Sequence, residues 1–116
     1  MMINRRKNIQ HHIISIIDEL IDVFTSYGEV YWAGVLSKCR EELYNAYSEN
    51  NRDKIRYALD QLIQLYGGMS SLNDIIISHQ YGHRIAPHQE QKVNTKILQL
   101  ISELYNLLQR EKRHYR

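Results

Sequence analysis

A chain of 116 residues is long enough to bury one hydrophobic core and too short for two. With 43% apolar residues, a single proline and five glycines, it falls outside the disordered and collagen-like classes and reads as one domain spanning residues 1–116. The formal charge of +2 conceals a segregation: residues 1–17 carry +3, residues 18–51 hold seven acids against Lys38 and Arg40, and residues 52–116 carry +4. Such a pattern suits either an acidic surface opposite basic ends or helices whose outer faces are simply solvated.

The first segment, Asn4 to Tyr27, sets Ile9, Ile13, Ile16, Ile17, Leu20 and Phe24 three or four residues apart, which stacks them on one helical face. Gly28 can take the left-handed conformation that closes a helix. A second helix opens around Glu29, with Trp32, Val35, Leu36, Cys39, Leu43, Ala46 and Tyr47 on its inner stripe. Asn50 and Asn51 suit an N-cap and Asp53 suits the first turn of a third helix, whose stripe of Ile55, Leu59, Leu62, Ile63 and Tyr66 runs into Gly67-Gly68. Residues 70–78, with Leu72, Ile75, Ile76 and Ile77, fit a short helix or a short strand, and the short helix starting near Ser70 or Ser71 is the expectation. Ser78 to Ala86 has no apolar period and is expected to be an exposed loop. Pro87 then begins a last helix carrying Val93, Ile97, Leu100, Ile101, Leu104, Leu107 and Leu108, which ends in a basic tail from Arg110 to Arg116.

Helices with one apolar stripe each are unstable alone in water, so the expected fold is all-α: a bundle of four long helices plus a short helix after the Gly-Gly turn. The wide stripes of the first and last helices also suit a homodimer. No apolar run approaches the roughly 20 residues that span a bilayer, and neither a membrane anchor nor a secretory signal is expected from the interrupted, amphipathic stretch that follows Lys7. A lone Cys39 makes no internal disulfide, so the cytoplasm is the expected compartment and no membrane partner is expected.

Chemistry is sparse along this chain. His79 and His83 stand four apart near His88, but Tyr81 and Gly82 interrupt a helix there and no ligand set is completed, so no metal and no cofactor is expected. Cys39 lies on an apolar stripe and reads as a small packed thiol rather than a nucleophile. Gly67-Gly68 lacks the Lys-Ser/Thr continuation of a phosphate loop. No catalytic residue is identified, and the chain is expected not to be an enzyme. Arg5, Arg6 and Lys7 and the tail from Arg110 to Arg116 would contact phosphates if they met in space, yet the acidic middle opposes a polyanion, so nucleic acid is not the expected partner.

The most distinctive run is Tyr66-Gly67-Gly68-Met69-Ser70-Ser71-Leu72-Asn73-Asp74 leading into Ile75-Ile76-Ile77. It resembles the signature of an uncharacterised bacterial family of small helical domains over roughly residues 30–80, with Trp32-Ala33 a looser likeness. Ser70 stands where that signature usually has glycine. Read physically, the run is a hinge: the glycines reverse the chain, Met69 and Leu72 anchor it, and Asn73 and Asp74 either satisfy loop amides or serve recognition. Small bacterial domains of this kind resemble immunity proteins of the contact-dependent growth inhibition type, which bind and neutralise a toxin, RNases among them. That resemblance implies a cognate toxin domain as protein partner. Asp18, Glu19 and Asp22 are the candidate acidic contacts, and Tyr81, His83 and Arg84 the candidate loop contacts. The alternative is a dimeric regulatory or assembly module touching nucleic acid through its basic termini.

Overall fold

The structure is a computed structural model and describes residues 2–68 and 70–116, with side chains from Arg6 onward. It is all-α, with four α-helices: α1 (Met2–Ser26), α2 (Val30–Ser48), α3 (Arg52–Gln64) and α4 (Glu90–His114). Among the described residues there is no strand. Each helix packs on two others, α1 on α2 and α4, and α3 on α2 and α4, so the four close a ring around a shared core. Side-chain pairs give the direction: Arg6 meets Glu111, His12 meets Glu103 and Glu19 approaches Lys96, so α1 and α4 run antiparallel.

The core follows the periodicity. Ile13, Ile16, Ile17, Leu20 and Phe24 of α1 are buried against Leu36 and Leu43 of α2, Ile55, Leu59 and Leu62 of α3, and Ile97, Ile101, Leu104 and Leu108 of α4. Full burial of such a side chain contributes about 1.5–3 kcal/mol. The stripe of α2 is rotated slightly from expectation: Ala33 is inside, while Trp32, Cys39 and Tyr47 are only half-buried. Ala33, Ala46 and Ala58 are buried as well.

Helix ends also follow the sequence. Gly28 ends α1 at φ +80°, and Asn51 caps α3 by accepting from the Lys54 amide at 3.1 Å. Asn50 does not cap α3; it adopts φ +51° and closes α2, a position where its short polar side chain tolerates the left-handed region. Pro87 opens a 3-10 turn, Pro87–Gln89, that leads directly into α4.

The largest departures lie between α3 and α4. The short helix expected over residues 70–78 is only a 3-10 turn, Leu72–Asp74, after which Ile75 is already extended at ψ 127°. Three β-branched residues in succession resist helix formation, and Asn94 of α4 supplies what a helix would have supplied. Its side chain accepts from the Ile77 amide at 2.8 Å and donates to the Ile77 carbonyl at 2.9 Å, so this buried stretch of backbone keeps its hydrogen bonds. Nor is Ser78 to Ala86 a wholly exposed loop: it contains a 3-10 turn, His79–Tyr81, and buries Ile85. Met69, the expected loop anchor, and the Arg5 side chain lie outside the described residues. Ser70 occupies φ +57°, the left-handed region that the glycine of the resembled signature would enter without strain.

Candidate functional site

The loop candidates separate into two kinds. Tyr81 and Arg84 are exposed, Tyr81 by 66%. His83 instead turns inward: its Nδ1 accepts from the Ser78 amide at 2.9 Å, which leaves Nε2 to carry the hydrogen donated to Glu29 at 3.2 Å. The other oxygen of Glu29 accepts from the Trp32 amide at 3.0 Å and caps α2. Beside this lock the Arg84 amide donates to the Tyr27 carbonyl at 2.9 Å, and the Arg84 guanidinium covers Gly28. His79 and His88 are exposed, and among the described residues no three His, Cys, Asp or Glu side chains gather at one point.

Of the acidic candidates on α1, Asp18 is engaged within the molecule. Both its oxygens accept from Arg40 of α2, at 2.7 and 3.3 Å, and Arg40 in turn lies over the Tyr44 ring. Glu19 stands 3.9 Å from Lys96, whereas Asp22 is exposed with no ion-pair partner among the described residues. Asn73 and Asp74 serve their own turn: the Asn73 amide donates to the Tyr66 carbonyl, and Asp74 accepts from the Ser71 amide at 3.2 Å. Burial first, and then the neighbouring Glu42 carboxylate, push the Cys39 thiol above its ordinary pKa, which makes it a poor nucleophile at neutral pH.

A more open surface lies between α2 and α3. Here Glu42, Asn45, Glu49, Asp53 and Tyr57 rim a groove of about 490 Å3 whose floor is Ala46 and Ala58. Glu49 is bridged by Lys54 at 3.1 Å, but Glu42 and Asp53 have no cationic partner among the described residues. Tyr57 is 63% exposed. Its projection was legible in principle, because Ile55, Leu59 and Leu62 fix the inner face of α3 and Tyr57 falls outside that stripe. Its pairing with acids of α2 was not, because that depends on how two helices meet.

A second depression marks one end of the molecule, where α1 starts, α3 starts and α4 finishes. Its walls include Arg6, Lys7, Arg52 and His114. The basic segments at the two ends of the chain therefore do converge in space. The tail is not a free appendage: α4 continues through it to His114 and turns Glu111 and Tyr115 inward. Glu111 is 0% exposed, bridged by Arg6 and hydrogen-bonded by the Tyr47 hydroxyl at 2.6 Å. Burial, above the effect of Tyr115, raises the Tyr47 pKa and keeps that hydroxyl protonated as a donor.

Residues 25–86 match the family model described as a domain of unknown function, DUF6966. The chain belongs to this family. No curated protein and no solved structure matches it. The matched segment takes in α2, α3 and the irregular stretch after them, and its two ends meet through the Tyr27–Arg84 and Glu29–His83 hydrogen bonds. The α2–α3 groove lies wholly inside it, whereas nearly all of α1 and the whole of α4 lie outside. Among the described residues no helix is long and apolar enough to cross a membrane.

Proposed function

We propose that this protein is a cytoplasmic immunity protein, a rigid four-helix bundle that neutralises a toxin by stoichiometric binding rather than by turnover. The observation that carries this reading is the α2–α3 groove, where Glu42 and Asp53 stand without internal cations beside an exposed tyrosine on an alanine floor. A toxin that cleaves RNA must present a basic surface to a polyanion, and an acidic groove is its electrostatic complement. Tyr57 supplies the amphipathic anchor that dominates many interfaces, while Glu42 and Asp53 speed association and fix register. Asp22, Tyr81 and Arg84 are secondary contacts in this proposal. Asp18, Glu19 and His83 act through the internal pairs that hold them.

The test uses the product of the adjacent reading frame. The expected result is a 1:1 complex that suppresses that product's ribonuclease activity. In the complex Tyr57→Ala loses about 2 kcal/mol of affinity, and Glu42→Lys with Asp53→Lys slows association at least tenfold at low salt. Absence of a complex, or one indifferent to all three substitutions, sinks the reading.

A further inference from the structure

Of the three lysine and arginine side chains lining the depression at the α1–α4 end, only Arg6 is paired with an Asp or Glu side chain among the described residues. No Asp or Glu side chain of the described residues lines this depression, and the nearby Glu111 is buried and matched by Arg6 and the Tyr47 hydroxyl. Glu49 and Asp53 line the separate α2–α3 groove, and Asp60 is bridged by Lys112. Lys7 is therefore left without a carboxylate partner among the described residues, Arg52 is met by backbone oxygens and by no Asp or Glu side chain, and the His114 imidazole stands beside them. Arg52 is held in place: its guanidinium donates to backbone oxygens of His114 and Arg116, at 3.3 and 3.0 Å, and lies over the Tyr115 ring. Its remaining donors form a fork already oriented before any ligand arrives, which removes part of the entropy that binding would otherwise lose. Gln10 and Asn50 add neutral amides to the same depression of about 770 Å3.

We propose that this end of the molecule binds a phosphate group, gripped by Lys7 and Arg52 with Arg6 and His114 behind them. A guanidinium fork and an ammonium lining one depression suit the charge of a phosphate better than any neutral ligand. The depression is open and has room for a phosphate carried by something larger, either a small phosphorylated molecule such as a nucleotide or a nucleic-acid backbone. The Tyr115 ring is buried and lies under Arg52, so the charged side chains rather than this ring would make the contact. The state of His114 is consistent with a positive field there: burial first, then Arg6 and Arg52, lower its pKa. A bound anion reverses the two charge effects, and binding strengthens as pH falls through the His114 midpoint.

The site is independent of the toxin reading and is tested without a toxin. The intact chain is titrated with inorganic phosphate at constant ionic strength while the His114 ring resonances are followed across pH. Saturation is expected to raise the His114 midpoint by about one pH unit, and Lys7→Gln and Arg52→Gln are each expected to weaken binding roughly three- to tenfold. Lys7→Gln is the safer variant because Lys7 is exposed and holds no described structural bond, whereas Arg52 also ties down the end of α4. Adenosine monophosphate and a uridine dodecamer then separate the sources. Tighter dodecamer binding that falls linearly with the logarithm of salt assigns the backbone, and monophosphate binding that the dodecamer does not surpass assigns the small molecule. If none of the three probes moves His114 beyond a chloride control, or if Lys7→Gln binds unchanged, the proposal is overturned.

Discussion

Replacement of Arg6 by leucine strands a carboxylate inside the protein. Glu111 is completely buried, and in the variant it would keep only the Tyr47 hydroxyl. Breaking a buried ion pair from one side typically destabilises by about 3–5 kcal/mol, because the partner's charge loses compensation while remaining out of water. The Arg6 side chain is 31% exposed, so solvent already screens part of the pair and the expected loss is nearer 2–3 kcal/mol. Glu111→Leu behaves differently: the freed guanidinium can turn to solvent, and the new apolar side chain joins Leu107 and Leu108, so the loss is about 1 kcal/mol, chiefly from the orphaned Tyr47 hydroxyl. The double variant Arg6→Leu with Glu111→Leu is therefore expected to be more stable than Arg6→Leu alone by about 1–2 kcal/mol, a non-additivity read directly in a double-mutant cycle. Urea unfolding followed by circular dichroism measures it, with Arg6→Leu lowering the midpoint by about 1–2 M. Additive losses, or an Arg6→Leu effect below about 1 kcal/mol, would refute the assignment of Glu111 as a charge held by its partners.

Four further outcomes follow from local geometry. Ser70→Gly relieves a non-glycine residue from φ +57° and is expected to stabilise by about 0.5–1 kcal/mol, seen as a raised unfolding temperature; a lowered temperature contradicts the left-handed assignment. Gly28→Ala places a Cβ at φ +80° and 3.1 Å from Arg84 Nε, for a loss of about 1–2 kcal/mol in the same assay. Asn94→Leu removes both side-chain partners of Ile77 and should destabilise by about 2–4 kcal/mol, with faster hydrogen exchange concentrated at the Ile77 amide. For Cys39 the sign is set by its raised folded-state pKa: folding disfavours the thiolate, so the thiol's contribution to stability is whole below its ordinary value and declines as pH rises past it. A disulfide reagent at pH 8 should accordingly modify the native chain at least tenfold more slowly than the chain in urea, and equal rates would show an open thiol.

The candidate sites show how far single residues can be read. Asp18 and Asp22 look equivalent on the outer face of α1, yet one is clasped by Arg40 from a different helix and the other has no such partner among the described residues. Tyr81, His83 and Arg84 form one polar run, but only His83 finds a carboxylate, 54 positions earlier, and turns inward to meet it. The groove rimmed by Glu42, Asp53 and Tyr57 is not legible in the sequence, because none of these residues is unusual for an exposed helix face. It exists only once α2 and α3 lie side by side.

Sequence alone determined the helices and their inner faces, since Ile13, Ile17, Leu20 and Phe24 recur with the period of the α-helix, and it determined several boundaries, since Gly28, Asn51 and Pro87 act through their own backbone preferences. These signals are local, and the chain need not fold for them to exist. Tertiary structure alone decided that Glu111 would leave a basic tail for the interior, that Asn94 would stand in for the hydrogen bonds of Ile77, and that the two basic ends would meet. Each of these is a polar group finding its partner from another part of the chain, 105 residues away in the case of Arg6 and Glu111, and spacing along the sequence carries no record of such a choice.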